Sequence, residues 1–118
     1  MKDCIFCDPK NRNYVIENEY AGMLFDIHPV TKGHSLIISK RHHPTFFDVP
    51  KEEMVAMYSL LNEAKKYLDN EFHPDGYNID VNVNPAGGQA IMHCHIHLIP
   101  RYHDGKIVFT KFPDDLSK

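Results

Sequence analysis

The sequence predicts an α+β domain, an antiparallel sheet with one main helix packed on it. Three observations predict it. Residues 50–72 carry apolar side chains at gaps of three and four, the period of an amphipathic helix. On both sides lie short segments of alternating or continuous apolar character, the pattern of strands. Clusters of Pro, Gly, Asn and Asp separate these segments and mark turns.

The elements follow in order. Residues 14–21 read as two short strands around a polar turn, and residues 22–27 continue the second. Residues 29–33, with Pro29 and Gly33, form a loop, and residues 34–39 a buried strand. Pro50 suits the first position of a helix, where its missing N–H does no harm. The helical stripe is Met54, Met57, Tyr58, Leu61, Ala64, Leu68 and Phe72, which packs on the sheet. Pro74, Asp75 and Gly76 end it. Residues 77–83 alternate as a half-buried strand, residues 84–88 form a loop, and residues 90–102 alternate again as the last strand. From about His103 the pattern fades, and a mobile tail is expected. A length of 118 residues fits one domain, 1–118. An uncovered edge of an antiparallel sheet invites a second copy, so a homodimer is expected.

Composition narrows the function. With 42% hydrophobic and 25% charged residues, the chain can bury a core and is not disordered overall. A net charge of −3 gives no electrostatic case for a nucleic acid polymer or an anionic membrane. Basic and aromatic residues do not interleave as in readers of single strands. A small anionic ligand needs only a local cradle of donors. No long apolar run suggests a transmembrane helix, and the start Met1-Lys2-Asp3-Cys4 lacks the apolar stretch of a signal peptide, so the cytoplasm is expected. In that reducing setting Cys4-x-x-Cys7 suggests metal or redox chemistry.

The informative segment runs from Gly87 to Pro100. On a strand, residues two apart share a face, so His93, His95 and His97 line one side. Cys94, Ile96 and Leu98 then point to the core. Imidazoles about 6.5–7 Å apart along a strand are costly to bury without partners. They can bind a catalytic metal, or one can act as a nucleophile toward phosphorus. Gly87 and Gly88 allow close approach of backbone to a ligand. Their N–H groups, with the Gln89 side chain, can donate to phosphate oxygens. That loop favours phosphoryl or nucleotidyl transfer over metal hydrolysis.

His93-Cys94-His95-Ile96-His97-Leu98-Ile99 resembles the signature of the histidine-triad superfamily, His-φ-His-φ-His-φ-φ with φ hydrophobic. Cys4-Ile5-Phe6-Cys7, Phe25-Asp26-Ile27-His28-Pro29, residues 32–40 and Gly88-Gln89 fall in the family's order, so the resemblance spans nearly the whole chain. It implies that His95 attacks the α-phosphate of a nucleotide conjugate and forms a nucleotidyl-histidine. It implies that His97 contacts the phosphate and that Asp26 accepts from the ribose hydroxyls. Ile5, Phe6 and Ile27 match the base pocket; Asn82, Gly88, Gln89 and Ala90 match positions near the phosphates. Cys4, Cys7, His42 and His93 match a structural zinc site, with His43 a competitor for the place of His42.

The resemblance makes dinucleoside polyphosphate hydrolysis the expected activity. Nucleoside phosphoramidase action is the nearest alternative. A nucleotide-binding module with little turnover is another, since Ala90 stands where many relatives have Ser or Thr. A metal hydrolase with its zinc on all three histidines is a further rival. On residue pattern alone, His34 is a structural histidine bonded to a loop, and His28, His73 and His103 are exposed loop residues.

Overall fold

The computed structural model describes residues 4–103. Five strands form one antiparallel sheet: β1 (Ile16–Glu17), β2 (Ala21–Phe25), β3 (Ser35–Ser39), β4 (Gly76–Asp80) and β5 (His95–Arg101), in the order β1-β2-β3-β5-β4. The single α-helix among the described residues, α1 (Lys51–Phe72), packs on one face. It is not long and apolar enough to cross a membrane. The expected α+β architecture is therefore observed. The mobile tail expected beyond His103 lies outside the described residues.

The sheet has two buried faces of different character. On the helix side, Ala21, Met23, Ile37, Cys94, Ile96 and Leu98 meet Met57, Leu60, Ala64 and Leu68. On the other side, Phe6, Leu36 and Ile38 form a smaller cluster with Cys4, Leu24 and Ile91 against it. β3 lies between β2 and β5 and is buried along its whole length. Its terminal serines bond locally, Ser35 to the Gly33 carbonyl and Ser39 to the Arg41 carbonyl, so neither hydroxyl is left unpaired.

Several details differ from expectation. The buried stripe of α1 is Glu53, Met57, Leu60, Ala64 and Leu68; Leu60 is in, and Tyr58 is 65% exposed. Both choices satisfy a helical period, and the packed sheet selects the stripe that excludes the phenol. The helix begins one residue after Pro50 and stops at His73, whose left-handed backbone (φ 52) closes the last turn ahead of Pro74. β5 begins at His95 rather than residue 90, because the Cys94 N–H bonds across to the His43 carbonyl at 2.7 Å. His93 therefore stands ahead of the strand, in a loop of its own.

Met57→Ala is expected to cost about 2–5 kcal/mol in urea unfolding, whereas Tyr58→Ala should stay within about 0.5 kcal/mol of the parent. The opposite order would mean that the helix presents its other stripe to the sheet.

Candidate functional site

The triad is divided between two sites. His95 and His97 lie on β5 opposite Ile38 and Leu36, so both project to the face away from α1, with ring centres 5.1 Å apart. Cys94, Ile96 and Leu98 are buried in the core on the helix side, as expected. Burial pushes the Cys94 thiol up to about 12, which leaves it unreactive. His93, ahead of the strand, turns its ring toward the N-terminal cysteines instead.

His95 Nδ1 lies 2.7 Å from the His93 carbonyl oxygen. A carbonyl only accepts, so Nδ1 carries a hydrogen, and in the neutral tautomer this leaves the lone pair on Nε2. The ring is buried, 8% exposed, with Phe6 edge-on at 5.4 Å. Beside it, His34 Nε2 lies 3.0 Å from His97 Nδ1 and 3.5 Å from Asp26 Oδ2. His34 Nδ1 accepts the Val30 N–H at 3.2 Å, so the expected bond to a loop is present. Asp26 is fixed by the His28 N–H on Oδ1 at 2.8 Å. Burial lowers the pKa of His34, and burial followed by the charges of His95 and His34 lowers that of His97. Both rings are neutral near pH 7.

These groups open on a cavity of about 900 Å³. Ile5, Phe6, Asp26, Ile27, Asn82, Gly88, Ala90, His95 and His97 all line it. Leu24, Phe25, Leu36 and Ile91 join the apolar wall, and Lys10, Asn11 and Asn13 add a polar rim. Leu24 and Leu36 were discoverable, since strand alternation puts them on the face of the histidines. The 10–13 segment carries no periodic signal. His28 is exposed as expected, yet it stands at the cavity rim.

The glycine loop corrects two expectations. The Gln89 carboxamide does not line the cavity: it donates to the Pro44 and Ile91 carbonyls at 2.7 and 2.9 Å and accepts the Asn84 N–H at 2.8 Å. The Gly87 and Gly88 N–H groups bond to the Asn84 and Pro85 carbonyls, both at 2.9 Å. All of these groups hold the loop together and are not available to a phosphate. Gly88 is left-handed (φ +91), a conformation that suits glycine. Among the described residues, the N–H groups of Ala90 and Ile91 have no hydrogen-bond partner, and both residues line the cavity. They are the backbone donors a phosphate would find.

Cys4, Cys7, His42 and His93 converge, with all four candidate ligand atoms within 4.8 Å of one another. His93 Nδ1 is 3.2 Å from Cys4 Sγ and 3.5 Å from Cys7 Sγ; His42 Nδ1 is 3.3 Å from Cys7 Sγ. His93 Nε2 donates to the Ser39 carbonyl at 2.6 Å, which leaves Nδ1 with its lone pair facing the thiols. Burial holds the His93 pKa down to about 4 and raises that of Cys7. His43 is turned elsewhere, with Nε2 at 2.9 Å from the buried Glu53 carboxylate, so the cluster takes His42. Two thiols and two imidazoles fit a metal ion of the tetrahedral Cys₂His₂ kind. The separation of His93 from His95 and His97 also removes the arrangement in which one metal sits on all three.

Comparison with known proteins agrees with this architecture. The HIT domain family matches residues 9–104. An uncharacterized HIT-like protein of Methanocaldococcus jannaschii is 36% identical over 110 residues, covering 89% of this chain and 84% of that one. An adenylylsulfatase of Arabidopsis thaliana is 36% identical over 107 residues, covering 86% of this chain and 53% of that protein. The crystal structure of a zinc-bound histidine triad family protein from Mycobacterium smegmatis superposes with a TM-score of 0.81 at 30% identity, covering 96% of this chain and 85% of that one. That of a Plasmodium falciparum diadenosine triphosphate hydrolase, in complex with cyclomarin A, gives a TM-score of 0.75 at 25% identity, covering 82% and 66%. With its fold, its His-x-His-x-His segment and these relatives in agreement, the chain belongs to the HIT domain family, the histidine-triad proteins.

Proposed function

We propose that this protein is a nucleotide hydrolase or transferase in which His95 Nε2 attacks the α-phosphate of a nucleotide conjugate, with dinucleoside polyphosphates as the substrate class. The observation that carries the reading is the 2.7 Å bond from His95 Nδ1 to the His93 carbonyl, which places the lone pair of the neutral ring on Nε2, at the cavity wall. A nitrogen nucleophile so presented forms a bond to phosphorus as the leaving oxygen departs, and water then releases the nucleotide. The base lies among Ile5, Phe6 and Ile27, and Asp26 accepts from the ribose hydroxyls. The phosphate oxygens meet His97 and the Ala90 N–H. Support for an acid anhydride comes from two relatives, one named for adenylyl sulfate and one for diadenosine triphosphate.

The same reading assigns a structural zinc ion to Cys4, Cys7, His42 and His93, supported by their convergence and by the zinc-bound relative. The ion would neutralise two thiolates and tie the N-terminal segment to the loop that precedes the nucleophile. A homodimer is also proposed, on the ground that β4 is a sheet edge with Ile79 exposed on it.

An acid quench of wild type with a diadenosine polyphosphate should trap a nucleotidyl mass increment. His95→Ala should lose it, with turnover down by about three orders of magnitude or more. Turnover that survives in His95→Ala would sink the covalent reading. Metal analysis should find one zinc ion per chain, and Cys7→Ser should lower both the zinc content and the melting temperature. In metal-stripped protein, His34, His93 and His97 resist protonation when folded but take protons near their ordinary value of about 6.5 when unfolded. The native state then binds fewer protons, so urea stability should decline as pH falls from about 6.5 toward about 4, the value of buried His93. A flat profile over that window would contradict the burial assigned to these rings.

A further inference from the structure

One peptide group is held at both of its ends. The His93 carbonyl accepts the His95 Nδ1 hydrogen at 2.7 Å, and the N–H of the same peptide, on Cys94, donates to the His43 carbonyl at 2.7 Å. A peptide unit is planar, so the direction of its N–H sets the direction of its C=O. The His43 carbonyl therefore aims the acceptor that orients the His95 ring. Residues 43 and 44 belong to no strand or helix, so no ladder of backbone bonds holds them in place. Pro44 limits the backbone of His43, because a residue before proline is kept out of the helical region. The Pro44 carbonyl in turn accepts from the Gln89 carboxamide at 2.7 Å.

What anchors this segment from the other side is α1. His43 Nε2 donates to Glu53 Oε1 at 2.9 Å, and Arg41 Nη1 donates to Oε2 at 3.4 Å. Glu53 is 2% exposed and lies in the stripe of α1 that otherwise holds Met57, Leu60, Ala64 and Leu68. A carboxylate there is costly unless bonded, and an aliphatic side chain would fill the place without that cost. The first turn of a helix favours an acidic residue, but the exposed Glu52 meets that preference from the surface. Glu53 differs from it in reaching His43.

We infer that Glu53 is a positioning residue for His95, acting from α1 through the His43 ring, the His43 carbonyl and the His93–Cys94 peptide. The inference rests on the covalent reading above for the role of His95 and adds the group that aims its ring. Neither Glu53 nor His43 lines the cavity. Substrate binding draws on the residues that do, so loss of Glu53 acts on the approach of Nε2 to phosphorus and spares affinity. A nucleophile displaced by a fraction of an ångström to an ångström loses much of its rate.

The test uses the full chain with zinc supplied at neutral pH, as wild type, Glu53→Leu and Glu53→Gln. Leucine suits the apolar stripe and removes the acceptor; glutamine keeps an oxygen for the His43 hydrogen. Glu53→Leu should slow nucleotidyl-enzyme formation from saturating diadenosine tetraphosphate, read by quenched mass spectrometry, about tenfold or more. Its substrate affinity, zinc content and melting temperature should stay near those of wild type. Glu53→Gln should restore most of the rate. Amide hydrogen exchange reads the link without turnover: the Cys94 N–H should exchange about tenfold or more faster in Glu53→Leu, and as in wild type in Glu53→Gln. Nitrogen-15 NMR should find the His95 hydrogen on Nδ1 in wild type and partly on Nε2 in Glu53→Leu. Should Glu53→Leu not fold, Glu53→Leu/His43→Leu, an apolar pair, takes its place with the same expectations. An unchanged rate or unchanged Cys94 exchange would overturn the inference, as would a loss of rate that follows loss of zinc or that glutamine does not restore. If wild type itself forms no adduct, the covalent reading fails, and Cys94 exchange with the His95 ring signals still decides whether Glu53 orients that ring.

Discussion

The antiparallel pairing of β3 with β5 is the constraint on which the rest depends. Its register sets His95 opposite Ile38 and His97 opposite Leu36. Because alternate residues face opposite ways, the same register buries Ile96 and Leu98 against α1. A slip by one residue would place imidazoles in the helix-side core and aliphatic side chains at the cavity. The hydrophobic burial that stabilises the sheet and the placement of His95 and His97 at the cavity are therefore one geometric decision. Both strands are interior to the sheet, which leaves that decision little freedom.

The buried polar groups are costly only where they lack partners, and here nearly all have them. His93 bonds to the Ser39 carbonyl, His95 to the His93 carbonyl, and His34 to Val30 and His97. Glu53, buried within the stripe of α1, meets His43 and Arg41. These bonds do more than satisfy donors. Each fixes a tautomer or a ring plane, so that two chemically identical residues two positions apart, His93 and His95, present opposite nitrogens to opposite tasks.

Much of this was legible beforehand. Alternation and helical period identified the strands and α1, and the spacing of the histidines marked the working face. What escaped was decided by contacts between distant segments. Tyr58 and Leu60 fit a helical stripe about equally well, and only the shape of the sheet chose between them. The true start of β5 depends on the His43 carbonyl, fifty-one residues upstream of its partner Cys94. Gln89 has the right chemistry for a phosphate donor, but the carbonyls of Pro44 and Ile91 are closer partners once the loop closes. His42 was already expected over His43, and the structure adds the reason: Glu53 of α1 holds the His43 ring away from the cluster.

His93 joins the two sites through a single residue. Its imidazole faces the cysteines, while its carbonyl accepts the His95 hydrogen. Anchoring the His93 ring at the thiols and at the Ser39 carbonyl fixes the position of the same residue's carbonyl, and with it the acceptor that orients the His95 ring. An ion on Cys4, Cys7, His42 and His93 would thus restrain His95 from outside the cavity. Phe6 reinforces the link, since it lies between the cysteines in sequence and stands edge-on to both rings, at 5.7 Å from His93 and 5.4 Å from His95. The short N-terminal segment then serves as a brace, with candidate metal ligands on its flanks, an aromatic ring beside His95 and Ile5 in the cavity wall. In a chain this small, one segment bears all three duties because the sheet face it covers is the face that holds the chemistry.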